Sequence, residues 1–338
     1  MIKMSLKNKI LEYFRLMRPQ GAAQTASILF LGSLIMGLRD LTLLFILFII
    51  GFMSHIHGFV LNDYADIEVD KRSYELEKKP LVSGLISKKH ALAIVIITAC
   101  IGYALTIVFF FSIPALLLLS IAAILSGIYN FYGKKILGSE FIISAGLAVF
   151  CLFGASTVSL DFTNIVYIIS LILFVEGIFI HVVEGGLKDV DHDYLAKAKT
   201  LPTMMGVRVK GGKLILTNKF TAVAYILKIT FFVLIILLGF QSEINLWFSD
   251  QYILLAIVIL LMILVILTFY KFLYIPTFDR SKMKKLYAAL NAATLALIFV
   301  MLLPIIEIEF ILLLLLLPIT WYTCFNFVLY GKPLQPRV

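Results

Sequence analysis

The sequence contains few charged residues. Asp, Glu, Lys and Arg make up 14% of its 338 residues, whereas soluble domains carry roughly 25%. This shortage excludes an ordinary soluble enzyme, and no segment is long and polar enough to form a separate soluble domain.

Cysteine is also scarce. The three cysteines, Cys100, Cys151 and Cys324, all lie in apolar runs, which excludes a disulfide framework.

A cleavable signal pattern is missing too, because the basic first 20 residues precede a long apolar run rather than a short one with a cleavage site. What the chain has instead is long apolar runs of about 20 residues, each able to cross a bilayer as a helix. We therefore expect an all-α, polytopic transmembrane bundle of nine or ten spans. The candidate spans are roughly 20–38, 41–61, 91–111, 113–131, 141–160, 163–187, 220–240, 251–274, 286–304 and 308–330.

The basic residues lie on one side of this arrangement. Apart from Arg39 and Lys228, all of the 29 Lys and Arg residues fall in the two termini or in alternate connections. Those connections are 62–90, 132–140, 188–219 and 271–285. The bias predicts that both termini and these loops are cytoplasmic in the cell membrane. The net charge of +9 then reflects topology and contact with lipid, and we expect no nucleic-acid partner.

Two of the basic connections also carry a dense acidic segment. The first follows the second span and contains Asn62, Asp63, Asp66 and Asp70. The second follows the sixth span and contains Asp189, Asp191 and Asp193. Two carboxylates in each segment are four residues apart, so on a helix they would share one face.

The two acidic segments form an internal repeat. Each is followed about ten residues later by a proline next to leucine, Pro80 and Pro202. The segments are four spans apart and therefore face the same side of the membrane. We predict one integral membrane domain over 1–338 with pseudo-repeat halves at about 20–140 and 141–275 and additional spans within 286–330.

Clustered carboxylates at a membrane boundary repel one another and need cations. Oxygen ligands without Cys or His favour Mg²⁺ over zinc, and Mg²⁺ is commonly shared between carboxylates and substrate phosphates. Lysines beside the segments suit a polyphosphate: Lys79, Lys188, Lys197 and Lys199. The two segments therefore predict a Mg²⁺ site for a diphosphate, although solvated loops with ordinary Lys–Asp pairs are the simpler alternative.

These motifs resemble those of the UbiA superfamily of intramembrane prenyltransferases. NDYADIEVD fits the family's N-D-x-x-D-x-x-x-D motif, and DVDHD followed by KTLP is similar to its second motif. LMRPQ at 16–20 extends the resemblance, as do Tyr129 and Lys134 after the fourth span. The chain departs from the family at Lys79, where relatives usually have Arg before Pro, and at Lys197, where they often have Gly.

The resemblance implies a helical bundle around a central cavity open to lipid, and transfer of a prenyl group from a prenyl diphosphate to a hydrophobic acceptor. It implies that Mg²⁺ is held by Asn62, Asp66, Asp70, Asp189 and Asp193, with Asp63 in support. It places further residues near the diphosphate: Lys79, Tyr129, Lys134 and Lys188. The same resemblance assigns catalysis to the motif aspartates Asp66, Asp70, Asp189 and Asp193.

Other polar residues fall inside the predicted spans. His55 is seven residues before Asn62, and Glu176, Ile180 and Glu184 share a helical stripe that Lys188 continues. Ionisable residues in a membrane are candidates for function. We therefore include His55, His181 and Glu184 as possible substrate contacts. Hydrogen bonding between helices is the alternative.

Two other functions remain open at this point. A terpene cyclase of the same fold would ionise the diphosphate and let the prenyl chain attack itself, and the sequence does not separate it from a transferase. A membrane transporter fits less well. Its repeats are often inverted and its sites lie at mid-membrane, whereas the repeat here is parallel and its acidic segments lie at the surface.

Overall fold

The computed structural model describes residues 6–71, 76–133, 136–195 and 200–333. Its first helices are α1 (Leu6–Met17), a 3₁₀ turn (Pro19–Gly21), α2 (Ala22–Ile35), α3 (Leu41–Asp70), α4 (Lys88–Phe109), α5 (Ile113–Tyr132), α6 (Ser139–Ser156) and α7 (Asn164–Ile178). A π-helical segment (Phe179–Gly185) joins α7 to α8 (Gly186–Leu195). The remaining elements are α9 (Leu201–Met204), β1 (Arg208–Lys210), β2 (Lys213–Ile215), α10 (Asn218–Gly239), α11 (Tyr252–Leu273), α12 (Arg280–Met301) and α13 (Ile308–Tyr330).

Several helices begin at a residue whose side chain accepts a hydrogen bond from the first turn. Asp40 accepts from the backbone amides of Thr42 and Leu43 at 2.7 and 3.0 Å, at the start of α3. Ser87 caps α4 and Asp279 caps α12 in the same way. These caps satisfy amides that have no partner within the helix. Between α9 and α10, the antiparallel hairpin of β1 and β2 turns at Gly211 and Gly212, whose φ angles of 58° and 71° favour glycine.

Nine helical segments in the described residues are long and apolar enough to cross a membrane. They correspond to nine of the ten predicted spans and confirm the polytopic helical fold. The exception is the span predicted at 20–38. There the α-helix α2 has only 14 residues, because the 3₁₀ turn occupies Pro19–Gly21 and the chain leaves the helix after Ile35. That prediction was wrong in length.

The described residues group into two compact units. The first contains the residues up to Phe131, Val149–Phe162 and those from Leu312 onward, and the second contains Tyr132–Ala148 and Thr163–Ile311. In the first unit α3 packs against α2 and α4. In the second, α7 packs against α10, and α11 packs against α12.

Glycines bring backbones into contact in the first unit. A Cβ atom added to Gly154 would meet the backbone of Leu29, with the Leu29 Cα at 2.8 Å. A Cβ on Gly32 would meet the carbonyl oxygen of Cys151. Such close contacts between small residues stabilise helix pairs in membranes, where water provides little hydrophobic driving force between spans.

A buried ion pair joins α7 to α10 in the second unit. Lys228 Nζ donates to both carboxylate oxygens of Glu176, at 2.8 and 2.9 Å. The ammonium group also lies 4.0 Å from the centre of the Phe179 ring. The side chains are only 3% and 8% exposed, so each charge depends on the other for compensation.

The glycine contact predicts that Gly154→Ala destabilises the protein by about 1–3 kcal/mol, because the added methyl group forces two backbones apart. Gly102→Ala is the matched control, since a Cβ at Gly102 in α4 meets nothing within 4 Å. The control should be neutral or stabilising by up to about 1 kcal/mol. Thermal unfolding of the purified protein in detergent compares the two, and equal unfolding temperatures would contradict the close contact.

The buried pair predicts that Lys228→Met destabilises the protein by about 3–5 kcal/mol, because Glu176 then lacks its cation. The double variant Glu176→Leu/Lys228→Met removes both charges and should recover most of this loss. Thermal unfolding of the wild type, the two single variants and the double variant measures the coupling. Additive effects of the two substitutions would show that the charges do not stabilise each other.

Candidate active site

The first acidic segment is the end of a helix rather than a loop. The 30-residue helix α3 continues to Asp70 and is about 45 Å long at 1.5 Å per residue. This is longer than the roughly 30 Å apolar core of a bilayer, so its last turns can extend beyond that core. The prediction of a loop from residue 62 was therefore wrong up to Asp70.

Two aspartates of this segment are buried and paired with cations. Arg18 Nη2 donates to the two carboxylate oxygens of Asp63 at 2.9 and 3.1 Å. Lys79 Nζ donates to Asp63 at 3.0 Å and to Asp70 at 2.7 Å. Asp63 and Asp70 are seven residues apart and therefore lie on one face of α3. Lys79 thus connects the two carboxylates that this face buries.

The charge of Lys79 is stabilised by these contacts. Burial lowers the pKa of Lys79, but the charges and hydrogen bonds of Asp63 and Asp70 outweigh burial, so that its pKa is raised above the ordinary 10.5. Lys79 is therefore an ammonium ion at neutral pH. The sequence predicted a diphosphate contact for Lys79. That role stays a prediction, and the carboxylate contacts are what sequence reasoning missed.

Arg18 is held in an unusual backbone conformation by His55. Arg18 has a φ of 48°, which is uncommon for a residue other than glycine. His55 Nε2 lies 2.8 Å from the Arg18 carbonyl oxygen, and His55 Nδ1 lies 2.9 Å from Thr25 Oγ1. Both ring nitrogens of His55 thus have protein partners, which favours a positioning role for a residue that the sequence suggested as a substrate contact.

Asn62 and Asp66 lie next to this buried face and are partly accessible. Asn62 Nδ2 donates to Asn130 Oδ1 at 3.3 Å, and Asn130 Nδ2 donates to the carbonyl oxygen of Gly58 at 3.1 Å. This contact brings the end of α5 against α3 and places Tyr129, which is partly buried, beside Asn130. The predicted contact residue Lys134 lies outside the described residues, as do Lys197 and Lys199.

The second acidic segment is the short helix α8. Asp189 and Asp193 are four residues apart on it, and both are partly accessible. Lys188 Nζ lies 3.2 Å from an oxygen of Asp189. Asp191 accepts a hydrogen bond from Arg280 Nη2, at the start of α12, at 2.7 Å. Asp189 and Asp193, which are four residues apart, therefore remain the candidate ligands, whereas Asp191 forms an ion pair with Arg280.

The Thr-Leu-Pro sequence forms the start of α9. Thr200 and Thr203 form reciprocal capping bonds at the start of α9. A Cβ added to Gly186 would collide with the ring of Pro202, so only glycine permits this approach. Pro202, near the end of the second motif, therefore packs against Gly186, the first residue of α8.

The π-helical segment interrupts the helical face that the sequence predicted Glu176, Glu184 and Lys188 to share. A π-helix bonds residues five apart instead of four, so the α-helical repeat is interrupted between Phe179 and Gly185. Glu176 pairs with Lys228, whereas Glu184 Oε2 accepts a hydrogen bond from Asn291 Nδ2 at 3.2 Å. The two glutamates thus contact different helices.

Glu184 also lines a cavity of about 190 Å³ in the second unit. His181 and Lys188 contribute to the same lining. The structure therefore brings together three of the predicted site residues, His181, Glu184 and Lys188, at the end of the π-helical segment. The described residues contain no group of three or more His, Cys, Asp or Glu side chains that could by itself hold a metal ion.

Comparison with known sequences gives one family. The profile of the UbiA prenyltransferase family matches residues 26–268. A 4-hydroxybenzoate octaprenyltransferase from Shewanella pealeana is 33% identical over 110 residues, 31% of this chain and 38% of the relative. A digeranylgeranylglyceryl phosphate synthase from Korarchaeum cryptofilum is 28% identical over 175 residues, 52% of this chain and 60% of the relative. The chain thus matches less than two thirds of the length of either relative.

Solved structures agree in fold. A structure of digeranylgeranylglyceryl phosphate synthase has a TM-score of 0.63 at 24% identity, and covers 87% of this chain and 99% of its own. A UbiA homolog from Archaeoglobus fulgidus bound to DMAPP and Mg²⁺ has a TM-score of 0.59 at 16% identity, and covers 85% of this chain and 99% of its own. The family profile covers well over half of the sequence, and this chain belongs to the UbiA prenyltransferase family.

Proposed function

We propose that this protein transfers a prenyl group from a prenyl diphosphate to an aromatic or lipid acceptor within the membrane, with Mg²⁺ as cofactor. One observation carries the proposal: two separate helix ends, on α3 and α8, each present carboxylates four residues apart beside a lysine. The homolog from Archaeoglobus fulgidus that binds DMAPP and Mg²⁺ supports it, as do the transferase and synthase names of the relatives.

The donors at these helix ends fit Mg²⁺. They are oxygen atoms only, and Mg²⁺ is usually bound by one or two carboxylates together with substrate phosphates. A pair of carboxylates on each helix therefore matches an ion that binds together with a diphosphate. The residues that would hold it are Asn62, Asp66, Asp70, Asp189 and Asp193. Asp63, bonded to Arg18 and Lys79, would support the set, and bound Mg²⁺ would stabilise the charge of the leaving diphosphate.

The side chains of the protein supply the other requirements of the reaction. Lys79 and Lys188 would attract the diphosphate as point charges, and Tyr129 and Lys134 are proposed to lie near it. The apolar spans would hold the prenyl chain and exclude water, which limits hydrolysis of the cation formed when the carbon–oxygen bond breaks. The acceptor would then attack that cation and release a proton as the new bond forms, while the diphosphate leaves with the electrons of the broken carbon–oxygen bond. This arrangement requires the two acidic helix ends to face a shared diphosphate, and that requirement is part of the proposal.

We place the acidic ends, the basic connections and both termini on the cytoplasmic side of the cell membrane. The distribution of Lys and Arg supports this orientation. A single membrane domain with two pseudo-repeat halves remains our prediction for the organisation of the chain.

The proposal predicts that purified protein in detergent or vesicles releases diphosphate and forms a prenylated product from a prenyl diphosphate and an acceptor. Turnover should require Mg²⁺ and stop with EDTA. Asp66→Asn and Asp189→Asn should each reduce turnover by at least about 100-fold, because each removes a proposed ligand charge. Turnover is measured by chromatographic analysis of the products formed from a panel of prenyl diphosphates and acceptors.

Asp191→Asn is the matched control, because Asp191 belongs to the same motif but bonds to Arg280. It should retain most of the activity. Turnover that survives EDTA would contradict the metal role, and a product without acceptor-derived atoms would indicate cyclisation. Near-normal rates in Asp66→Asn or Asp189→Asn would contradict the assignment of the site.

The contacts of Lys79 give a separate prediction. Lys79→Met leaves two buried carboxylates with one cation, and we expect a loss of about 3 kcal/mol of stability together with at least about 10-fold lower turnover. Lys88→Met is the control, since its pair with Glu68 is exposed and worth about 0–1 kcal/mol. Thermal unfolding and product formation are measured for both variants. If the two behave alike, Lys79 does not hold the acidic helix end.

A further inference from the structure

The cavity beside the π-helical segment is lined by both polar and apolar side chains, the apolar ones being Ile180, Phe272 and Met283. Its volume is about 190 Å³, and its polar side chains are His181, Glu184, Lys188, Lys284 and Tyr287. The segment Phe179–Gly185 and the first turns of α12 form its walls. π-Helical turns occur frequently at functional sites. The cavity lies within the second unit and is lined by none of the motif aspartates.

One residue that lines this cavity has a carboxylate oxygen without a hydrogen-bond partner in the described part of the chain. Glu184 is 2% exposed, and its Oε2 atom accepts a hydrogen bond from Asn291. No described residue donates to Oε1. In contrast, both oxygens of Glu176, on the same stretch of chain, are bonded to Lys228. Because buried polar atoms are nearly always paired and Glu184 also lines the cavity, we read its Oε1 atom as the acceptor for a ligand that donates a hydrogen bond.

The cavity also offers a cation that is not compensated. Lys284 lines it from the first turns of α12, and within the described residues it forms no ion pair. Lys188 lines it too, but lies 3.2 Å from Asp189. An anionic group of a ligand therefore fits best beside Lys284.

These features select a particular kind of ligand. A prenyl diphosphate has only acceptor oxygens when it is ionised, and would meet Glu184 Oε1 without a hydrogen to donate. A prenyl chain is apolar and would supply neither a donor for Glu184 Oε1 nor an anionic group for Lys284. A molecule with both a hydroxyl and an anionic group matches both Glu184 and Lys284. The volume is below the roughly 300 Å³ at which pockets for drug-sized ligands begin, which suits a headgroup rather than a whole lipid.

We propose that this cavity binds the polar headgroup of the acceptor, a hydroxyl-bearing anion whose hydroxyl donates to Glu184 and whose anionic group contacts Lys284. This inference rests on the proposed prenyl transfer. 4-Hydroxybenzoate carries both groups, and so does the glyceryl phosphate headgroup of a lipid. Both molecules carry the hydroxyl and the anionic group that the cavity is proposed to bind. Transfer assays with each molecule as the acceptor distinguish between them.

The test measures prenyl transfer with 4-hydroxybenzoate and, separately, with a glyceryl phosphate lipid. For the acceptor that is used, Glu184→Gln should raise the acceptor KM at least about 10-fold, a difference of about 1.4 kcal/mol. Lys284→Met should raise it about 3- to 10-fold. The KM for the prenyl diphosphate should change less than about twofold in both variants.

Two control variants match these changes. Glu140→Gln removes another carboxyl group with a buried, unpartnered oxygen, but Glu140 does not line the cavity. Lys285→Met removes the neighbouring exposed lysine of α12, which also lies outside the lining. Both controls should keep the acceptor KM of the wild type.

Binding of analogues separates the two contacts. Benzoate lacks the hydroxyl group, so it should bind wild type and Glu184→Gln equally. Phenol lacks the carboxylate, so it should bind wild type and Lys284→Met equally. Competitive inhibition of transfer to 4-hydroxybenzoate measures both when that compound is the acceptor. If the glyceryl phosphate lipid is used instead, glycerol and a phosphate ester without a free hydroxyl replace phenol and benzoate.

The outcomes separate this inference from the proposed function. If the wild type transfers prenyl groups and both Glu184→Gln and Lys284→Met keep the acceptor KM, the headgroup site is wrong and the transferase stands. If the wild type transfers no prenyl group to any acceptor in the panel, the proposed function fails first. Lys284 is exposed, so Lys284→Met should fold and decides the question even if Glu184→Gln is unstable.

Discussion

The ion pairs of Arg18 and Lys79 with Asp63 and Asp70 are the interaction on which the first acidic helix end depends. A buried carboxylate that loses its cation costs several kcal/mol, so these aspartates can be buried only where cations reach them. Arg18 is 45 residues before Asp63, and Lys79 is nine residues after Asp70. The pairs therefore tie the N-terminal turn and the segment after α3 to one helix face. Asn62 and Asp66 lie on the neighbouring face of the same helix and are partly accessible.

The sequence predicted the spans well because hydropathy reports how much apolar chain is available to cross a bilayer. It predicted less well where a helix ends, because hydrogen bonding rather than hydropathy determines that point. The apolar run before Asn62 stops at residue 61, but α3 continues to Asp70, since its polar residues fall on faces that find partners. Conversely, the apolar run at 20–38 contains a helix of only 14 residues.

The candidate residues of the acidic segments could be named from their spacing, but their partners could not. Nothing local to Asp191 indicates that Arg280 bonds to it, although the two are 89 residues apart in the chain. Nothing local to His55 indicates that both of its ring nitrogens are engaged. Asn130, which joins α5 to the first motif, also carries no signal stronger than that of any polar residue in an apolar run. These contacts depend on tertiary packing, which single-sequence patterns do not contain.

The two buried glutamates of the α7 to α8 stretch show how the structure refines such a pattern. In the sequence Glu176 and Glu184 are equivalent members of one stripe. In the structure Lys228 lies at hydrogen-bond distance from both oxygens of Glu176, whereas Glu184 has one amide donor and one oxygen without a partner among the described residues, and lines a cavity. A fully paired carboxylate stabilises the bundle and has no capacity left for a ligand. A carboxylate with one unpaired oxygen is tolerated where a ligand donates the missing hydrogen bond. Burial makes the unpaired oxygen costly, and the same low dielectric strengthens the hydrogen bond that a ligand makes to it. Hydrogen bonding of buried polar atoms, taken together with position at a cavity, therefore separates Glu176 from Glu184 where spacing could not.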